Sequence, residues 1–234
     1  MPRIGLLVPS SNTTVEPEFY RALPREVTLH TARLYLTQIA PDAILKMVED
    51  LETQSRLLAS ADVDVIVLAA TAPSFLKGLG YDRQIIDKIV AATTKPATTT
   101  STALIEALGH LGAKRVALGS AYDEKVNGIA ASFIEASGVR IVNVGGLGLV
   151  DNLVVGRLAP ETALELGRKV DHPDADAIVL ACTNWQTMDA LERLEAAVGK
   201  PVVSTTQASI WAALRTLGWR RPVAGFGRLL RSLD

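Results

Sequence analysis

Residues 64–71 read Asp-Val-Ile-Val-Leu-Ala-Ala-Thr, and residues 176–183 read Asp-Ala-Ile-Val-Leu-Ala-Cys-Thr. Six of the eight positions are identical at a separation of 112 residues. One of the two differences is the only cysteine of the chain, Cys182, which stands where the first copy has Ala70. If two related halves carry these motifs, the two loops face each other across one cleft, one wall bearing a thiol and the other a methyl group.

The repeat extends outward from the motif. Lys95-Pro96-Ala97-Thr98-Thr99-Thr100-Ser101 is echoed by Lys200-Pro201-Val202-Val203-Ser204-Thr205-Thr206, now at an offset of 105 residues. Each is followed by a helical run, a glycine (Gly112, Gly218) and basic residues. A period near 110 residues is far longer than the roughly 20–50 residues of a solenoid, so it marks duplication of an α/β half. Short apolar runs at Ile4–Val8, Val65–Ala69, Val116–Gly119, Ile141–Val144, Ile178–Ala181, Val202–Ser204 and Val223–Gly225 predict strands, most of them buried on both faces. Helical patterns lie between them, at 41–61, 81–93, 102–111, 123–137, 160–170, 188–198 and 208–217. Pro41-Asp42 and Pro160-Glu161 supply first-turn signals. The alternation predicts an α/β fold of two Rossmann-like parallel-sheet halves related by a pseudo-two-fold axis. Residues 1–111 form the first half, completed by about 208–234, and residues 112–207 form the second.

Composition excludes several classes. The chain has 234 residues, 48% apolar and 21% charged, with a formal net charge of −1. That balance argues against nucleic acid and against an acidic membrane surface. No apolar run reaches the 18–20 residues a membrane helix needs, and the N-terminus lacks a signal-peptide pattern. A lone cysteine forms no internal disulfide and fits a reducing cytoplasm. His30, His110 and His172 lack metal-ligand spacing. Gly145-Gly146-Leu147-Gly148 departs from the dinucleotide fingerprint and reads as a turn.

Ligands of parallel sheets bind beyond the carboxyl ends of the strands, and the polar motifs here all follow strands. Pro9-Ser10-Ser11-Asn12 offers small hydrogen-bonding groups after the first strand, as an anion loop would, or else forms a plain capped turn. Thr71 and Thr183 are repeat equivalents that serve as helix caps, carboxylate donors or both. Tyr122 follows the matching strand of the second half, where a phenol can donate to an enolate oxygen. Cys182, at a strand end with a helix expected next, is placed to have its pKa lowered; the plainer reading is a small buried apolar residue.

The chain resembles the aspartate/glutamate racemase superfamily, and within it the maleate cis-trans isomerase and arylmalonate decarboxylase branch. The resemblance rests on Val8-Pro9-Ser10-Ser11-Asn12-Thr13-Thr14, Ser74-Phe75-Leu76-Lys77-Gly78, Thr98-Thr99-Thr100-Ser101-Thr102-Ala103, Val116-Ala117-Leu118 with Tyr122, and Asp151-Asn152-Leu153. It implies an active site between the halves without metal or organic cofactor. Racemases and isomerases of the group carry a cysteine on each wall; here the first falls on Ala70 and the second on Cys182. Keeping only the second is the decarboxylase pattern, with Cys182 as proton donor and with Thr71, Tyr122 and backbone groups near Ala72 and Thr183 cradling an enediolate. Ala72 stands where decarboxylases have a serine donor, whereas Asn12 and Asn152 match carboxylate-binding asparagines of the isomerases.

One thiol opposite an alanine cannot perform two-base racemisation. Decarboxylation requires only one proton donor, fixed oxyanion donors and an apolar seat for the departing carboxylate. The expectation is therefore a cofactor-independent decarboxylase of a malonate-like acid, acting in the cytoplasm as a monomer or homodimer on a small carboxylic acid. The alternatives are a maleate isomerase-like or amino-acid racemase-like enzyme, or a catalytically impaired dicarboxylate-binding relative.

Overall fold

The computed structural model describes residues 1–233. Two four-stranded parallel sheets carry the chain, each flanked by helices. The first contains β1 (Arg3–Pro9), β2 (Thr28–Leu34), β3 (Val65–Leu68) and β4 (Ala97–Thr99), in the order β2-β1-β3-β4. The second contains β5 (Arg115–Ser120), β6 (Arg140–Gly146), β7 (Ala177–Ala181) and β8 (Val202–Ser204), in the order β6-β5-β7-β8. The two orders are the same, as a duplicated half requires. The repeated motifs form β3 and β7, each second from the edge of its sheet and buried throughout.

The connections are helical: α1 (Val15–Ala22), α2 (Pro41–Glu49), α3 (Leu51–Ser60), α4 (Thr71–Phe75), α5 (Tyr81–Thr93) and α6 (Thr100–His110) in the first part, then α7 (Glu124–Ala136), α8 (Asn152–Gly156), α9 (Pro160–Val170), α10 (Leu191–Val198), α11 (Thr205–Thr216) and α12 (Gly227–Arg231). The repeat equivalents α6 and α11 pack against each other between the sheets, where Thr100 Oγ1 and Ser209 Oγ are 3.0 Å apart. Thr99 and Ser204 cap them by accepting from the N–H groups of Thr102 and Gln207; such caps are worth about 1 kcal/mol each. No helix among the described residues is long and apolar enough to cross a membrane.

Three expectations are corrected. Val223–Gly225 is a turn: Pro222 has no N–H for a ladder, and Gly225 and Gly227 adopt φ of +90° and +84°. The helical pattern over 41–61 is two helices, interrupted at Asp50 (φ −88°, ψ 5°). No helix follows Cys182 directly; a turn intervenes before a 3₁₀ segment at Met188–Ala190.

Candidate active site

Both repeated motifs end at one cleft. Pro9, Asn12, Ala70, Thr71, Ala72, Tyr122, Asn152, Cys182 and Thr183 all line it, around about 340 Å³ of empty space open to solvent. Ser10 does not: its hydroxyl accepts from the Leu36 N–H (2.9 Å) and donates to the Leu36 carbonyl (3.2 Å), fixing the exit of β2. Leu36, Ile39, Ile44, Pro73 and Asn184 complete the lining.

The halves are sewn together at this cleft by hydrogen bonds. Asn12 Oδ1 accepts from the N–H groups of Thr14 (2.9 Å) and Val15 (3.0 Å), which starts α1. Its Nδ2 donates to Thr183 Oγ1 (3.2 Å), and that hydroxyl donates to the Ala69 carbonyl (3.1 Å). Asn152 Nδ2 donates to Ser11 Oγ (2.8 Å). Asn184 accepts from the Thr13 N–H (2.9 Å) and donates to the Asn152 carbonyl (2.6 Å). The Ile39 N–H donates to the Val150 carbonyl (3.3 Å), so the loops after β2 and β6 also meet.

The two walls differ in backbone as well as side chain. Ala70 is extended (φ −144°, ψ 116°) and leads straight into α4. The first N–H groups of a helix have no partner within it, so Thr71 and Ala72 offer donors to the cleft. Pro73 offers none. The Thr71 hydroxyl is buried without a hydrogen-bond partner. Cys182 instead has φ of +134°, a region that favours glycine. Its N–H donates to Thr205 Oγ1 (3.2 Å) and its carbonyl accepts from Trp185 N–H (3.2 Å).

Burial pushes the Cys182 thiol up to about 11, against the lowering effects of the Asn184 N–H, the Tyr122 phenol and the Trp185 N–H. The lowered pKa expected of a helix-start cysteine is therefore reversed: no helix begins there, and desolvation of the anion dominates. Burial likewise holds the Tyr122 phenol well above its ordinary range, with the negative charge of an ionised Cys182 adding to the effect. Both groups enter the cleft protonated at neutral pH. Tyr122 is seated through its backbone, its N–H donating to Ser120 Oγ (2.9 Å) and its carbonyl accepting from Asn127 Nδ2 (3.3 Å).

The apolar patch of Leu36, Ile39 and Ile44 escaped the sequence reading because β2, whose exit positions it, lacks a clean apolar run. Asn184 adjoins the repeated motif, but its first-half counterpart is Ala72, so the repeat gave it no emphasis.

Known proteins share this fold and sequence pattern over nearly the whole chain. The profile of the arylmalonate decarboxylase family matches residues 4–230. A maleate isomerase of Pseudomonas putida is 32% identical over 97% of this chain and 96% of its own. The arylmalonate decarboxylase of Bordetella bronchiseptica is 31% identical over the same shares. Among solved structures, the maleate isomerase Iso of Pseudomonas putida S16 superposes with a TM-score of 0.96 at 30% identity, covering 100% of this chain and 99% of that one. An arylmalonate decarboxylase crystal structure gives 0.85 at 30% identity, covering 99% and 100%. A cysteine-to-serine mutant of the Nocardia farcinica maleate cis-trans isomerase, carrying a covalently bound succinylcysteine intermediate, gives 0.94 at 29% identity over 98% of each chain. With its duplicated parallel sheets, its cleft between them and its cysteine wall, the chain belongs to the arylmalonate decarboxylase family, whose relatives include both decarboxylases and maleate isomerases.

Proposed function

We propose that the chain is a cofactor-independent decarboxylase of a malonate-like acid, with Cys182 as the single proton donor. The observation that carries this reading is a single thiol, Cys182, lining the cleft together with Ala70 of the opposite repeat, where burial disfavours its ionisation. In the proposed reaction one carboxylate sits against Leu36, Ile39 and Ile44, where desolvation favours its loss as neutral CO₂. The bond between the α-carbon and that carboxylate breaks, and its electron pair passes into the remaining carboxylate as an enediolate. The Thr71 hydroxyl, the N–H groups of Thr71 and Ala72, and the Tyr122 phenol serve as its donors. One such donor is commonly worth about 10²–10³ in rate. Cys182 Sγ then gives its proton to the α-carbon, and the resulting thiolate recovers a proton from water.

A second reading, maleate isomerisation, is favoured by Asn12 and Asn152 on the cleft and by the names of the isomerase relatives. It calls for a nucleophilic thiolate. The Nocardia isomerase mutant that has lost one cysteine and still bears a succinylcysteine uses a further cysteine. This chain has only Cys182, and burial opposes its ionisation.

Proton NMR in D₂O with substituted malonates, maleate and amino acids separates the readings. The decarboxylase releases CO₂ from a malonate and leaves one deuterium at the α-carbon, in a single configuration if that carbon is stereogenic. Conversion of maleate to fumarate without CO₂ release would replace this reading with the second. Calorimetric binding of a diacid with no turnover of any acid would make the chain a dicarboxylate-binding relative.

A further inference from the structure

One buried ionisable group has no part in the reaction above. Glu18 lies on α1 of the first half with only 3% of its surface exposed. Its Oε1 reaches the second half, accepting from the N–H groups of Thr187 (3.0 Å) and Met188 (3.1 Å). Oε2 is buried with no hydrogen-bond partner, and so is the hydroxyl of Thr206, which bears on the same carboxyl.

The turn that Glu18 holds is the one that carries the thiol. It leaves β7 at Cys182, supplies the Asn184 and Trp185 N–H groups that stabilise a thiolate, and ends at Met188. Its middle is pinned by Thr14 Oγ1, which donates to the Asn184 carbonyl (2.8 Å). One helix of the opposite half thus grips the turn at Asn184 and again at Thr187 and Met188. Behind the Ala70 wall, the corresponding packing of α7 on α4 is aromatic: Phe75 lies 6.3 Å from Tyr122 and 6.4 Å from Phe133, centroid to centroid. The asymmetry of thiol and methyl extends to the layer behind them.

We propose that Glu18 is a positioning residue for Cys182: it anchors the turn that bears the thiol, and its charge state governs how readily that thiol releases its proton. Neutral Glu18 eases thiolate formation, and ionised Glu18 opposes it, because two anions on one side of a buried site repel. Burial raises the Glu18 carboxyl to about 7, against the lowering effects of the Met188 N–H, Thr206, the Thr187 N–H and Arg21. The charges around it are few. Arg21 is paired with Asp189 of the 3₁₀ segment and Glu16 with Arg33 of β2. Thr206 and its α11 neighbour Gln207 are uncharged, and Cys182 itself lies at the end of β7. The role in turnover rests on Cys182 being the proton donor; the coupling of the two charges does not.

Because Cys182 is the only cysteine, its alkylation by iodoacetamide reports one thiol. In the unmodified protein the logarithm of the rate should rise with pH, level off as Glu18 ionises near neutrality, and rise again at higher pH. Glu18→Gln keeps the acceptor and removes the charge. Its profile should rise without the plateau and run roughly tenfold above the unmodified protein at pH 9, as a one-unit shift requires. A profile without a plateau in the unmodified protein overturns the proposal whether or not the variant folds. So does a Gln profile that superimposes on the unmodified one, the result of a purely structural role. Glu18→Ala loses the anchor too and should unfold at lower urea than Glu18→Gln. The alkylation needs no substrate, so its failure leaves the reading of Cys182 intact. Failure to release CO₂ from any acid would overturn that reading and leave the alkylation result standing.

Discussion

At the scale of single residues, Cys182 combines an unusual backbone with an unusual proton affinity. A φ of +134° costs a side-chain-bearing residue about 1–3 kcal/mol. Glycine would escape that cost but lose about 0.5–1 kcal/mol of chain entropy relative to alanine. Cys182→Gly should therefore be more stable than Cys182→Ala by about 1 kcal/mol, reversing the usual order, which thermal unfolding of the pair will read directly. Both variants should lose about 10²–10⁴ in turnover, the common worth of a placed proton donor, while diacid affinity by calorimetry holds. Full activity in Cys182→Ala would make the thiol a packing residue. Ala70→Cys puts an acid/base group on the opposite wall and should add α-proton exchange, seen as deuterium washed from D₂O into added protio product, which the unmodified protein should leave unlabelled. The repeat made Cys182 and Ala70 legible, since one substitution within an otherwise shared motif isolates them. It could not reveal the direction of the pKa shift, which depends on a turn standing where a helix was expected.

Elements set the precision of the site. The strand runs buried on both faces were readable because parallel strands carry no polar alternation. β2 and β4 were not: Thr28–Leu34 mixes His30 and Arg33 into a partly buried edge, and Ala97–Thr99 spans three residues. The short α4 and α8 have too few turns for a helical period. Within β6, Gly146 is fixed by close approach: a Cβ there would lie 2.5 Å from the Tyr122 carbonyl and would collide with Asn127 Nδ2. Gly146→Ala should push the Tyr122 segment toward the cleft. The expected outcome is a loss of about 1–3 kcal/mol in stability together with a fall in kcat. An unchanged kcat would mean that the added methyl is absorbed without moving the Tyr122 phenol from its working position. Asn184→Ala removes one bond that joins the halves, from the Thr13 N–H, and one within the second half, to the Asn152 carbonyl, and leaves buried partners unsatisfied. A loss of about 2–3 kcal/mol in urea unfolding is expected.

For the whole molecule, the pH dependence of stability follows from opposed shifts. Between about 4.5 and 7 the folded state binds a proton at Glu18 that the unfolded chain has released. Stability therefore falls as pH rises through that window, by on the order of 3 kcal/mol from this group. Asp176 is held down to about 2, chiefly by Arg115, and contributes stability above its ordinary 3.8 that is lost as pH falls through 2. Solvent screens that partly exposed pair, so its share is small. Urea titrations at pH 5 and pH 8 should show the protein more stable at pH 5, with most of the difference gone in Glu18→Gln. Oxidation meets the same molecule differently. Peroxides attack thiolates, and a thiol near 11 exposes only about one part in 10⁴ as thiolate at pH 7. A cleft with cysteines on both walls has a second sulfur available for an internal cross-link; with alanine at position 70, no such bond can form within this chain. With alanine on one wall and a protonated thiol on the other, the resting protein should resist peroxide, and in the proposed reaction it is open to oxidation chiefly as the thiolate left when Cys182 has donated its proton.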